Sequence, residues 1–238
     1  PYRHGAGARS RGVPTDHALR VDVPSWPTAL QRAGFATVAV VGDPALQAYG
    51  LDRGFDVWRD TPQRGPVSVW LLPAVVSGLP LRLRAHADHV VDQALDFLAQ
   101  RPKGARLLFV ELADAGGPFD ADADDLRAVG LTNRAEGMDE HDAALARVDR
   151  AVGRLIDALP TGTLLVVAGE HGVRLDEPRG QGHVWGQSLH REHLHVPLIV
   201  SMRGAGRRDI DVPVSLVDIG PTLLQAVGVE GIGDVDGV

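Results

Sequence analysis

The chain has 238 residues, 44% of them hydrophobic and 23% charged, a size and balance that support one domain with a real core and exclude a largely disordered chain. A formal charge of −7 argues against nucleic acid as a partner, because phosphate-binding surfaces need massed basic residues. With no cysteine there is no disulfide framework, no thiolate metal site and no catalytic thiol.

Taken in chain order, helical and buried-strand patterns alternate. "SWPTALQRAG" offers Ser25 as a cap, Pro27 in the first turn and Gly34 as a stop, and "ATVAVVG" follows as a continuous apolar run, as in a strand covered on both faces. "PVSVWLLPAVVSGLPL", 66 to 81, is broken by Pro73, Gly78 and Pro80 and falls short of the roughly 20 residues that span a bilayer. It reads as core or lid, with an interfacial contact through Trp70, Arg82 and Arg84 as the alternative.

From His86 to Gln100 the apolar Val90, Val91, Ala94, Leu95 and Leu98 recur at helical spacing, and the strand "ARLLFVELA" follows. From Met138 to Leu159 the residues Leu145, Val148, Val152, Leu155, Ile156 and Leu159 repeat that spacing, and "TLLVVAG" follows. "VPLIVS" at 196 to 201 is a further strand, and "PTLLQAVG" a last helix. Helix after buried strand, repeated, predicts a layered α/β/α sandwich with a mostly parallel central sheet. In such sheets ligands gather at the carboxyl ends of the strands, so the loops 114 to 137 and 169 to 195 are expected on one edge.

The second of those loops carries the chemistry. The span from 169 to 200 holds five of the ten histidines. "TLLVVAG" delivers Glu170 and His171, hard and borderline ligands suited to Zn, Mn, Mg or Ca, with Gly172 allowing a sharp turn. Two donors do not complete a metal site, and His183 is the next candidate along the loop. His190, His193 and His195 alternate, which puts His193 and His195 on one face if the stretch is extended, as in a strand leading into "VPLIV". The plainer reading is a solvated loop rich in histidine. "DADADD" at 120 to 125 lacks the glycine and final glutamate of a calcium loop and reads as a solvated surface loop. Asp142, Arg147 and Arg150 are expected to make exposed helix pairs worth a few tenths of a kcal/mol, and His141 to be exposed.

Several ordered segments together resemble the sulfatase family of the alkaline phosphatase superfamily: "PYRHGA", "WPTALQRAGFATVAVVG", "LDRGFDVW", "LLFVELADAGGPFD", "MDEHDAALARVDRAVGRLIDAL", "LLVVAGEHG", "HVPLIV" and "VSLVDIGPTLL". The resemblance implies an alkaline-phosphatase-like fold and metal-dependent hydrolysis of sulfate esters, or of phosphate or phosphonate esters. The partner it implies is a small anionic ester, and the cofactor a divalent cation, calcium for a sulfatase or else zinc or manganese. It implies Glu170 at the position of a metal-binding aspartate, His171 at the adjacent ligand position and His183 near a catalytic histidine or lysine. His190 and His193 are then candidates for substrate binding.

Departures from the family pattern carry their own expectations. Gly116 stands where relatives often have a histidine, and the only lysine, Lys103, falls in a helix-to-strand loop. The paired aspartates and nucleophile of the family should precede a segment like "PYRHGA". The expected organisation is therefore one sulfatase-like α/β domain over 1–238 that lacks the first strand with its nucleophile and a C-terminal subdomain, with weak or absent cation binding. A degenerate member that binds an anion or partner without turnover is the alternative.

Overall fold

The computed structural model describes residues 25–60, 84–100, 104–116, 119, 121–131, 138–172, 190–202, 204–233 and 235–237. The elements run α1 (Trp26–Arg32), β1 (Ala36–Val41), α2 (Ala45–Ala48), β2 (Val57–Asp60), α3 (Ala87–Gln100), β3 (Arg106–Glu111), α4 (Ala123–Ala128), α5 (Met138–Ala158), β4 (Leu164–Ala168), α6 (Arg191–Leu194), β5 (Leu198–Met202), a 3-10 turn at Leu216–Asp218 and α7 (Ile219–Ala226).

β1 is central in a parallel three-stranded sheet of order β2-β1-β3, and β4 pairs with β5 in a separate antiparallel ribbon. The unbroken apolar run of β1 follows from that position. Val38 and Val40 enter a core with Val90, Val91, Ala94 and Phe97 of α3 and with Ala151 and Leu155 of α5. Thr37, Ala39 and Val41 turn to the opposite face by the two-residue period and are equally buried. α1 contacts both β1 and α7. Its start is set by Ser25, whose hydroxyl accepts from the Thr28 amide at 3.4 Å, and by Pro27 in the first turn.

β3 and β4 differ from β1. β3, apolar from Leu107 to Val110, is only half-buried along its whole length, and four of the five residues of β4 are half-buried. Among the described residues each is paired along one edge only.

Four sequence readings need correction. The stretch from His190 to His195 is a single helical turn, α6, closed by the His195 amide bonding the Arg191 carbonyl at 2.8 Å, so His193 and His195 do not share a strand face. Alternating histidines fit a four-residue turn as well as a strand. Within "DADADD", Asp122 and Asp125 form a capping box that starts α4 rather than a loop, and Asp125 is buried although Asp122 and Asp124 are exposed. Arg147 is also buried, and it pairs with Asp114, Asp122 and Asp125, acids from outside its own helix. His141 is part-covered as well, packing edge-on against Phe119 with ring centroids 5.2 Å apart. The 66 to 81 segment and Lys103 lie outside the described residues. Among the described residues no helix is long and apolar enough to cross a membrane.

Candidate functional site at the carboxyl edge of the strands

β1, β3 and β4 each end in a carboxylate-bearing turn. β1 runs into Gly42 and Asp43, β3 ends on Glu111, and β4 is followed by Glu170 and His171. Glu111 Oε2 accepts from the amides of Gly42 and Asp43, each at 2.9 Å, and so ties the exit of β3 to that of β1. Asp43 in turn accepts from Arg84 Nε at 3.0 Å. Gly42 has little room to spare, since a side chain there would press on the Ala85 carbonyl oxygen at 3.1 Å.

The Glu111 carboxyl is held above the usual carboxylate range. Burial is the largest cause, and the charges of Glu170 and Asp43 add to it, against the two amide bonds that favour the anion. The influence of Glu170 on Glu111 brings the exits of β3 and β4 within electrostatic reach although the two strands do not pair. A carboxyl group whose value rises on folding costs stability once pH passes that raised value, and costs nothing below its unfolded value. Glu111→Gln, which keeps an acceptor oxygen and removes the charge, is therefore expected to raise stability at pH 7 by up to about 1 kcal/mol. Thermal melts should show that gain fade as pH falls towards 4; a loss at pH 7 would mean that the anion's bonds outweigh its burial.

Gly172 joins the loop after β4 to α6. Its amide donates to the His193 carbonyl at 3.0 Å, and the Gly169 amide to the Pro197 carbonyl at the same distance. A β-carbon on Gly172 would run into the Glu192 carbonyl oxygen, so only glycine permits this approach. The structure thus packs the Glu170–Gly172 loop against the histidine turn. His193 Nε2 is buried there without a hydrogen-bond partner, whereas His190 and His195 are exposed. His171 Nδ1 lies 3.2 Å from the Gly172 carbonyl, an arrangement that favours the Nδ1–H tautomer and turns Nε2 into the acceptor.

Glu170 and His171 are adjacent in sequence and both exposed. Among the described residues no group of three or more His, Asp or Glu is placed to hold a metal ion. His183 lies outside the described residues.

Sequence reasoning missed Glu111 and Asp114. The signal for Glu111 was a lone acid ending an apolar run at the carboxyl end of a strand. For Asp114 nothing in the sequence distinguishes it from a solvated loop acid, yet its side chain is 1% exposed against Arg147.

A sulfatase family description matches residues 2–229. The phosphopentomutase of Deinococcus radiodurans is 26% identical over 168 residues, covering 70% of this chain and 38% of that protein. The lipoteichoic acid synthase from Listeria monocytogenes superposes with a TM-score of 0.67 at 15% identity, covering 97% of this chain and 59% of the other. The phosphonate monoester hydrolase from Silicibacter pomeroyi gives 0.54 at 21% identity, covering 98% and 64%. Both solved structures share the fold, and the chain spans less than two thirds of each of these three proteins. The match over nearly its whole length shows that the chain belongs to the sulfatase family.

Proposed function

We propose that the chain forms the greater part of a hydrolase acting on small anionic esters of sulfate, phosphate or phosphonate. The observation that carries this reading is the loop after β4, where Glu170 and His171 sit at the carboxyl edge beside Glu111 and are packed by Gly172 onto the His190–His195 turn. Family membership supports it, and so do the names of the relatives, a phosphopentomutase and a phosphonate monoester hydrolase, which both handle phosphorus esters.

In this reading Glu170 and His171 hold one side of a divalent cation, with calcium, zinc and manganese as candidates. When bound, the cation neutralises the ester's anionic oxygens and the charge that builds on them. The rest falls to this chain's side chains. Glu111 keeps the exits of β1 and β3 fixed under the site. His193, with a buried ring nitrogen, and the more exposed His190 are the candidates for contact with the ester. His183 carries the proton to the leaving group.

The remaining ligands and the nucleophile come from a strand outside the described residues. What supports this is the shape of the sheet. β3 and β4 end close together, each has one unpaired edge among the described residues, and both are less covered than their apolar sequences suit. One further parallel strand between them would pair both edges and bring its own carboxyl end to the site. The part of the relatives' length that this chain does not span is where such a strand is sought.

The test is a parallel assay of residues 1–238 and of the full natural protein with 4-nitrophenyl sulfate, 4-nitrophenyl phosphate and a phenylphosphonate ester. Turnover is expected from the longer protein and none from residues 1–238, which should also bind calcium or manganese only weakly by calorimetry. Inactivity of both towards all three esters, together with binding of free sulfate or phosphate, would replace this reading with that of an anion-binding member without turnover. Turnover by residues 1–238 alone would mean that the strand and nucleophile lie within them.

A further inference from the structure

A single buried guanidinium ties together elements that approach the carboxyl edge from three directions. Arg147 sits in α5 with its side chain 3% exposed. It donates to Asp114 Oδ1 at 3.0 Å and to Asp125, which also accepts from Arg150. Asp114 lies three residues beyond Glu111 in the turn that the Gly116 amide closes onto the Ala113 carbonyl at 3.0 Å. Among the described residues its side chain accepts from Arg147 alone, and its Oδ2 is buried without a partner. Among the described residues Arg147 is thus the one hydrogen-bond partner of the Asp114 side chain.

Net stability is a poor explanation for such a network, because desolvating the charges offsets most of their attraction and apolar replacements are often neutral. What a planar guanidinium with five donors supplies is fixed geometry. Here that geometry runs from α5 to Asp114, from the Asp114 turn back to Glu111, and from Glu111 to the amides of Gly42 and Asp43. The same helix leads into β4 and so to Glu170.

We propose that Arg147 is a positioning residue for the carboxyl edge: by gripping Asp114 it holds the exits of β1 and β3 in register with the exit of β4. Its effect on turnover rests on the ester-hydrolysis reading, whereas its effect on the turn does not.

Hydrogen exchange on the full chain tests it, comparing Arg147→Met, Arg147→Lys and Asp114→Asn with the wild type. The expected result is exchange at least about tenfold faster at the amides of 113–116 and of Gly42 and Asp43, with α3 and β1 protected as before. Lysine, which keeps the charge but loses the fork, should fall between methionine and wild type, and Asp114→Asn reads the same contact should the methionine variant fail to fold. Unchanged exchange at those amides in Arg147→Lys and Asp114→Asn would overturn the proposal. So would a uniform rise across α3 and β1, which is the mark of a purely structural role. In the full natural protein Arg147→Lys should lower kcat about tenfold with KM little changed. A wild type without turnover would count against the hydrolase reading only, and the exchange pattern would still decide the role of Arg147.

Discussion

Asp125→Ala should cost about 3–5 kcal/mol of stability, because it leaves two guanidinium groups facing an apolar methyl and one of them, Arg147, is buried. The same change removes half of the capping box of α4, since Asp125 also accepts from the Asp122 amide at 3.1 Å. Thermal melts should fall by on the order of 10 °C for a chain of this size. The pH dependence carries a sign of its own. Burial pushes the Asp125 carboxyl up, but the Asp122 amide and the Arg150 and Arg147 guanidinium groups outweigh it and hold it below the usual carboxylate value. A group depressed in this way stabilises above its unfolded value and loses that contribution as pH falls through the folded one. The gap between wild type and Asp125→Ala should therefore be full at pH 7 and narrow below about pH 4. A loss under about 1 kcal/mol at pH 7 would mean that the network is solvated.

Gly172→Ala is expected to be nearly as damaging, and to act on the site more than on the core. The added methyl meets the Glu192 carbonyl, which belongs to the backbone of α6 and cannot swing aside like a side chain. Relief requires the loop to lift off the histidine turn, breaking the bond from the Gly172 amide to the His193 carbonyl. Overpacking of this kind costs roughly 1–3 kcal/mol. The more telling readout is the environment of the histidines, since the His171 and His193 ring resonances should shift while those of His86 and His89 on α3's side stay in place. Unmoved His193 resonances would show that the turn does not depend on Gly172.

Much of the architecture could be read from periodicity. The helical spacing from Val90 to Leu98 and from Leu145 to Leu159 corresponds to α3 and α5, and the runs "ATVAVV", "RLLFV" and "LLVVA" to β1, β3 and β4. These patterns are legible because a buried face imposes its own period wherever it occurs. The antiparallel direction of β5 was not legible, since a short apolar run carries no information about the strand it pairs with. Charged residues misled for a related reason. Asp125 and Arg147 look solvated in sequence because each is judged by its type, and only tertiary structure brings an acid from α4 and one from the β3 exit to the same guanidinium. The pattern Asp122-x-x-Asp125 was available as a helix start. At the site, Glu170 and His171 stood out as polar residues directly after an apolar strand. His193 could be singled out as a histidine, but not as one whose Nε2 is buried, which only the tertiary structure shows.

Gly172 and Arg147 each dock the turn after one strand onto a neighbouring helix. The first sets the loop after β4 onto the histidine turn, and the second sets the turn after β3 onto α5. Glu111 is bonded to the exit of β1 and within reach of the charge on Glu170.

The measurement that bears most directly on this account is turnover of the three aryl esters by the full natural protein, wild type against Glu170→Ala, each with calcium or manganese supplied. The account predicts turnover of at least one ester by the wild type and a loss of at least about a hundredfold in kcat/KM on replacing Glu170, with the fold intact by circular dichroism. Wild-type turnover that survives in Glu170→Ala would place the chemistry elsewhere and contradict it.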